Sequence, residues 1–578
     1  MKRCPQCRRD YFDDSLVYCL DDGTRLLEGP AKSEAAVSIH RKNDEPATEI
    51  IPQAGRSSEA VTRTLYNESS TRWSLDTGSK TNTRAKFIGA LSVGVLIVGL
   101  ISATAYYYYG LGNGAQVESI AVMPFVNVAN NPELEYLSDG ITESLINSLS
   151  QVPTLSVKAR SSVFTYKGRE VTPQQVAKDL SVQAVLNGRV QQMGDQLVLH
   201  VELVDAGTGN QIWGDRYTRK ISDITQLQSE IARDVSGKLR AKLTGVEQAK
   251  VAKSHTNNPE AYQLYLRGRF HWNKRRADDI RKSIEYFQQA IDKDPAYGLA
   301  YAALAEAFIL MPHYRLGPSK EYYPKARSAA MKAIEIDESL AEAHNALASV
   351  VCNYDWKFAE AEQEWNRSLS LNPNYATARQ WYAEYLLAMG RYPEALAEMR
   401  LAQELDPLSL IINGMVGVAL LDTNQPEKAL EQLNKTLEMD PNFARTHLYL
   451  AETYQSMGRY EEAIDAFNRH YSLAGGSPEK IGELSEKIRT AYRAGGPAAY
   501  ARAFAEIIEN NQGESGAPAF VLAGYWAQAG DFDRAFAVLE KAYAEHDDSL
   551  ISLKNRRLDP LKSDARYKDL LRRVGLPE

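Results

Sequence analysis

Residues 391–407 read RYPEALAEMRLAQELDP, and the pattern returns 34 residues later as QPEKALEQLNKTLEMDP (425–441) and then as RYEEAIDAFNRHYSL (459–473). A small side chain lets two helices approach closely and a proline ends a helix, so each period predicts one pair of packed helices. The alanines and prolines that carry the period are Ala361, Ala395, Ala429 and Ala463, and Pro373, Pro407 and Pro441.

This 34-residue period resembles the tetratricopeptide (TPR) repeat. Ala326, 35 residues before Ala361, begins the series of alanines, and Ala535 continues it 72 residues after Ala463. An insertion around MPHYRLGPS separates the first repeat from the others. We therefore predict TPR repeats over 258–473, followed by degenerate repeats and a tail over 474–578. The resemblance implies an all-α solenoid whose concave groove is lined by the first helix of each pair.

One face of the first helices is predicted to point into that groove. The side chains on this face are chemically mixed and include few Lys or Arg residues, which a groove needs to bind a carboxylate. An acidic C-terminal tail is therefore not the expected ligand. Such side chains fit either a protein or peptide partner or an ordinary solvated helix surface. The predicted groove residues are Asn353, Gln380, Glu384, Leu387, Val418, Arg445, Glu452 and Gln455.

Upstream of the repeats, residues 117–245 predict an α+β domain. SIAVMPFVNV and LSVKARSS predict two strands, while LSDGITESLINSLSQ and TPQQVAKDLS predict two helices. Between AVLNGRVQQ and QIWGDRYTR, apolar residues recur at every second position in three segments, and glycine-containing turns join these segments. This pattern predicts three antiparallel strands in a meander. A helix over about 222–244 completes the order βαβαβββα.

Four motifs of this region, SIAVMPF, YLSDGITESLINSLS, VKARSSVFTYKG and DAGTGNQIWGDRY, resemble in this order the TolB-like N-terminal domain. In bacterial signalling proteins that module often stands outside the membrane, between a spanning helix and helical repeats. The resemblance implies an interaction or sensory module, and it supplies no catalytic residue.

Residues 87–109, FIGALSVGVLIVGLISATAYYYY, carry no charge and predict one transmembrane helix, since at about 1.5 Å per residue they can cross a hydrocarbon core of about 30 Å. Arg84 and Lys86 precede this segment, and the first basic residue after it is Lys158. The positive-inside rule then predicts a single-pass protein of the bacterial inner membrane, with a cytoplasmic N-terminus and a periplasmic C-terminal region. Residues 25–86 are polar and without period, which predicts a disordered linker.

The N-terminus contains a cysteine motif. Cys4 and Cys7 form a C-x-x-C pair, Cys19 follows, and Asp22 stands where the last cysteine of a second pair would be. Zinc prefers four tetrahedral ligands, for which thiolates or carboxylates can serve. Residues 1–24 resemble the short zinc ribbons that open many bacterial membrane signalling proteins, so these four residues predict either a zinc site or a metal-free remnant.

Charge and motifs exclude several classes of function. Lys+Arg 67 against Asp+Glu 74 leaves a net charge of −7, which argues against nucleic acid as a partner. The sequence has no nucleotide-binding, metalloprotease, serine-hydrolase or kinase motif, and Cys352 is predicted to be a small buried hydrophobe.

The predicted fold class is multidomain: a zinc-ribbon-like tip, one transmembrane helix, an α+β TolB-like domain and an all-α TPR solenoid. The predicted function is a non-enzymatic, membrane-anchored signalling or scaffold protein whose extracytoplasmic regions bind protein or peptide partners. The alternative is an envelope assembly or secretion factor with a vestigial zinc-ribbon tip.

Overall fold

The computed structural model describes residues 2–3, 10–11, 27–28 and 117–577, with gaps at 130, 132–133, 240–243 and 512–516. Near the N-terminus three short strands pair antiparallel in the order β2-β1-β3, namely Lys2–Arg3 (β1), Asp10–Tyr11 (β2) and Leu27–Glu28 (β3). The predicted zinc ligands, Cys4, Cys7, Cys19 and Asp22, lie outside the described residues. The zinc site therefore stays a prediction.

A mixed sheet follows, with strand order β6-β4-β7-β8-β9 and with β5 also paired to β7. Its strands are β4 (Ser119–Val122), β5 (Val126–Asn127), β6 (Ser156–Val157), β7 (Ala184–Met193), β8 (Gln196–Asp205) and β9 (Gln211–Lys220). The accompanying helices are α1 (Glu135–Ser150), α2 (Arg160–Phe164), α3 (Pro173–Leu180) and α4 (Ile224–Lys238). We call this part, from β4 to α4, the sheet domain.

The alternation of apolar residues fixes which face of β8 is buried. Leu197, Leu199 and Val201 are buried, and His200 and Glu202 on the other face are exposed, although Val198 and Val204 on that second face are buried as well. β7, β8 and β9 pair antiparallel over nearly their whole length. The predicted meander and its flanking helices are confirmed.

The second predicted strand is shorter than its sequence indicates. Ser156 and Val157 pair with β4, and the chain then turns into α2. The reason lies outside the sheet, because the backbone N–H of Ala159 donates to Leu405 O, about 250 positions away in the repeats, at 3.0 Å. Hydrogen bonding to another part of the chain thus ends this strand early.

After a short helix α5 (Gly245–Val251), the rest of the described chain is helical. Six consecutive helix pairs, repeats one to six, are α6 (Pro259–Trp272) with α7 (Ala277–Lys293), α8 (Gly298–His313) with α9 (Ser319–Ile336), α10 (Ala341–Asn353) with α11 (Phe358–Leu371), α12 (Ala376–Ala388) with α13 (Tyr392–Leu405), α14 (Leu410–Asp422) with α15 (Pro426–Met439), and α16 (Ala444–Ser456) with α17 (Tyr460–Leu473).

The C-terminal part keeps helical pairs in a less regular form. It consists of α18 (Pro478–Asn510), which kinks at Gly496, then a seventh pair, α19 (Ala519–Gln528) with α20 (Phe532–Glu545), two 3₁₀ helices (Asp548–Lys554 and Arg556–Leu561) and α21 (Ala565–Val574). We call residues 548–561 the tail segment.

The residues that define the period behave as their chemistry requires. Ala361, Ala395, Ala429 and Ala463 are all completely buried on second helices, where a larger side chain would push the paired helix away. Helices α11, α13 and α15 each end two residues before the proline that follows them. The predicted repeat architecture is therefore confirmed.

The predicted fold class needs correction. The described chain is a mostly helical, TPR-like solenoid with one small sheet domain, and none of its described helices is long and apolar enough to cross a membrane. The longest of them, α18, carries charged residues along its length. Residues 87–109 lie outside the described part. On this finding the fold class with a transmembrane helix and the single-pass inner-membrane location are both corrected.

Candidate functional site

The sheet domain packs on the first helices of the repeats, and α1 makes the main contact. A side-chain atom built at Gly140 would lie 2.8 Å from Leu266 of α6, so the two helices approach closely at that glycine. Nearby, the Tyr262 hydroxyl donates to Ser144 Oγ at 3.0 Å. Because first helices line the concave face of a TPR array, α1 covers the beginning of that face.

A buried ionic network joins α1 to three repeats. Arg269 of α6 donates to Glu143 Oε1 at 2.7 Å and pairs with Glu306 of α8 at 2.9 Å. Arg160 Nε lies 3.0 Å from Glu143 Oε2, and the Tyr375 hydroxyl donates to Glu306 Oε1 at 2.7 Å. Glu306 is only 1% exposed. Each buried charge therefore has an opposite charge or a donor against it, which is what makes such burial tolerable.

The pKa of Glu143 reports which effect dominates in this network. Burial raises the pKa of this carboxyl, but the charges of Arg269 and Arg160 and the hydrogen bonds from Arg269 and Asn273 outweigh burial, and the pKa is lowered. Glu143 is therefore a charged, structural anchor between the sheet domain and the repeats.

The other end of the sheet domain binds the turns before α12 and α14. The Asn374 amide donates to Ser150 O, Val152 O and Leu155 O at 3.0, 3.3 and 3.0 Å. Asp406 accepts hydrogen bonds from the hydroxyl of Ser161 and, at 2.6 Å, from that of Ser162. These turns lie one repeat apart, so the sheet domain is held at several points along the array.

The tail segment packs on the first helices α10 and α12 and also contacts the start of the second helix α9. The Tyr323 hydroxyl donates to Asp548 at 3.2 Å, and Lys554 Nζ donates to Met389 O at 3.3 Å. Leu550, Leu553, Leu558 and Leu561 are completely buried. The tail segment is thus an integral part of the array.

The predicted groove residues fall into two groups. Some contact the C-terminal part of the chain, and the others form a polar face between the sheet domain and the tail segment. Glu452 pairs with Arg557 at 2.9 Å, and the Gln455 amide donates to Gln528 at 3.0 Å. The remaining polar ones are Asn353 at the end of α10, Gln380 and Glu384 of α12, and Arg445 of α16, while the two apolar ones, Leu387 and Val418, lie on α12 and α14. Gln380, Glu384 and Arg445 are all partly exposed. We call these three residues the central face.

The electrostatics of the central face are set by burial and by Arg445. Burial raises the pKa of the Glu384 carboxyl, which the Gln380 hydrogen bond and the charge of Arg445 partly offset. Burial together with the charges of Arg445, Arg275 and Arg315 lowers the pKa of His313 to about 4. His313 is therefore neutral at physiological pH.

Sequence reasoning missed two of the cations that surround His313. Arg275 lies in the turn after α6 and Arg315 in the insertion after α8, positions that the repeat frame does not assign to a groove. Arg315 pairs with Asp547 at 3.1 Å, and Arg275 stacks over Trp272. The insertion MPHYRLGPS contains Arg315 and is the signal that could have pointed to it, whereas no motif marks Arg275.

Three family models match parts of the chain. Residues 115–233 match the second domain of HilA/YgeH-like transcriptional regulators, while residues 357–409 and 420–470 match tetratricopeptide repeats. The repeats are TPR repeats. The TolB-like identification of the small sheet domain is not supported and is corrected, because the model that matches this region is of the HilA/YgeH type.

Curated relatives share only part of their length with this chain. The chain is 33% identical to Putative adenylate cyclase 3 of Rhizobium meliloti over 234 residues, which are 40% of this chain and 39% of that protein. It is 20% identical to Transcriptional regulator HilA of Salmonella typhimurium over 290 residues, 50% of this chain and 51% of that protein. The chain thus spans about half or less of the length of these relatives.

Among solved structures, Pseudomonas aeruginosa PilF is 22% identical, and the match covers 40% of this chain and 96% of PilF with a TM-score of 0.28. YrrB, described as a TPR protein with an unusual peptide-binding site, is 19% identical over 35% of this chain and 97% of YrrB, with a TM-score of 0.25.

Proposed function

We propose that this chain is a non-enzymatic scaffold that binds a protein or peptide partner at the central face. TPR repeats are protein-binding modules, so a protein–protein interaction role follows from the repeats themselves. The observation that carries the finer assignment is the position of Gln380, Glu384 and Arg445. They are partly exposed on first helices, between the sheet domain and the tail segment, where a bound segment would contact both.

The setting we propose is regulatory. The region similar to this chain lies in one protein named as a transcriptional regulator and in another named as a putative adenylate cyclase. In each it is about half or less of the protein, so neither activity is transferred to this chain. We infer only that the sheet domain joined to TPR repeats serves as a partner-binding part of this chain.

Site-specific photo-crosslinking in cells tests the location. Benzoylphenylalanine placed at Gln380 should give a discrete adduct, and Arg445→Ala should weaken that adduct because it removes the face's cation. The control position is Glu431, which is exposed on the second helix α15. Equal adducts from both positions, or an adduct that Arg445→Ala leaves unchanged, would refute the assignment.

A further inference from the structure

A second feature lies where the sheet domain meets repeats four and five. A cavity of about 620 Å³ opens there, with walls that include Lys158, Leu180, Ser181, Arg379, Leu401 and Leu405. This volume is in the range of small-molecule sites in proteins, about 300–1,000 Å³. Its walls come from two parts of the chain, β6 to α3 on one side and residues 373–407 on the other.

Lys158 is the unusual group in this cavity. The residue is only 7% exposed, and its ammonium donates to the carbonyl oxygen of Glu404 at 2.7 Å. Among the described residues, no carboxylate lies within ion-pair distance of this ammonium. An ammonium has three donors, and burying it against one neutral acceptor is costly unless an anion completes its shell. Its position in the cavity wall leaves room for that anion.

The neighbouring carboxylates do not fill this role. Asp406 is buried, and its oxygens already accept hydrogen bonds from Ser161 and Ser162. Glu404 contributes its backbone oxygen to Lys158 while its side chain is exposed. Burial lowers the pKa of Lys158, and the charges of Glu404 and Asp406 oppose this effect only in part.

The rest of the wall combines leucine and proline surface with polar side chains, one fixed cation and two exposed carboxylates, Asp179 and Glu404. The Asp179 oxygens already accept hydrogen bonds from Tyr166 and Gln175. Leu180 and Leu405 are buried in its wall, and Leu401 is 40% exposed. Arg379 donates to Pro373 O and pairs with Glu398 at 2.7 Å, so its guanidinium is held in place. The walls thus combine a buried ammonium with leucine surface.

We propose that this cavity binds a small organic carboxylate, with its carboxylate on the Lys158 ammonium and its apolar part against Leu180, Leu401 and Leu405. The site has one ammonium and carboxylates nearby, so a ligand with a single negative charge is favoured over a phosphate monoester, which carries two. Because the walls belong to two parts of the chain, the bound acid also ties the sheet domain to the repeats. This site is separate from the central face, so its failure would leave the partner-binding proposal intact.

The test uses the full chain and octanoate, titrated by isothermal calorimetry. Octanoate should bind saturably, and Lys158→Met should weaken binding by about ten- to hundredfold, the value of one charge-assisted hydrogen bond. Lys178→Met, at an exposed lysine of α3, is the matched control and should bind as the parent does.

Two further measurements keep the test decisive if Lys158→Met does not fold. In the parent protein, 1-octanol has the same chain without the carboxylate and should bind at least about tenfold more weakly. Leu401→Glu, at a partly exposed wall position, should abolish octanoate binding by like-charge repulsion. Absence of saturable octanoate binding, or equal affinity for octanol, would overturn the proposal.

Discussion

Asn374 offers the most direct test of how the sheet domain is held. Its side-chain amide donates to three carbonyl oxygens at the end of α1 and just after it, those of Ser150, Val152 and Leu155. We expect Asn374→Ala to release this segment from the repeats, because the substitution removes the donors and leaves the three oxygens facing a methyl group.

The magnitude follows from the count of donors and acceptors. The amide has two N–H groups, so three acceptors share two hydrogens. Each of these hydrogen bonds contributes about 0.5–1.5 kcal/mol net to the stability of the folded protein. A partly buried carbonyl left without a donor adds about 1–3 kcal/mol, less where water can reach it. We therefore expect Asn374→Ala to lower the free energy of unfolding by about 2–4 kcal/mol.

The chain supplies a matched control. Asn442 occupies the equivalent position two repeats later, where its side-chain oxygen accepts from Arg469 at 2.9 Å at the exposed surface. Asn442→Ala should cost less than about 1 kcal/mol, since it loses one exposed hydrogen bond. Urea unfolding gives both values, and hydrogen exchange of residues 150–157 reports where the structure loosens.

The two measurements together decide the argument. Faster exchange over residues 150–157 in Asn374→Ala, with no such change in Asn442→Ala, is the expected result. Equal losses of stability in the two variants would mean that Asn374 acts only within its own turn. Unchanged exchange in Asn374→Ala would refute the docking argument directly.

Three other substitutions or treatments have defined outcomes. Gly140→Ala should destabilise by about 1 kcal/mol net, since contact with Leu266 outweighs the gain in helix propensity, whereas Gly237→Ala, with open space around it, should stabilise. Burial raises the pKa of Asp422 to about 6, so its charged form costs stability as pH rises through that range. Asp422→Asn should therefore stabilise by about 1–2 kcal/mol near pH 7.5 and by less near pH 4.5, as measured by urea unfolding. Cys352, completely buried in α10, should react with a maleimide only after unfolding, which mass spectrometry of labelled peptides would detect.

Much of the fold could be predicted because its signals are local. The spacing of alanines and prolines gives helix pairs, and the alternation in β8 gives a half-buried strand, without reference to distant residues. The identity of the sheet domain could not be predicted so well. Strand β6 has two residues, and the motifs around it led to a TolB-like assignment that the family comparison does not support.

The docking contacts were invisible in the sequence for a physical reason. Asn374 and Asn442 are the same residue type at equivalent positions, and only the first faces the sheet domain. Arg275 and Arg445 likewise show no relation in the sequence until the array curves and brings both near His313. Contacts between residues more than 200 positions apart depend on the curvature of the whole array, which no local pattern encodes.

The anchoring of the sheet domain at both Arg269 and Asn374 has a consequence for how this chain can change in evolution. TPR arrays ordinarily gain or lose units freely, because each unit contacts only its neighbours. Here a duplication or deletion between those two residues would displace one anchor from the other by at least one helix spacing, about 8–10 Å. The number of units in this stretch is therefore constrained, and the tail contacts with Tyr323 and Met389 extend the same constraint to the later units.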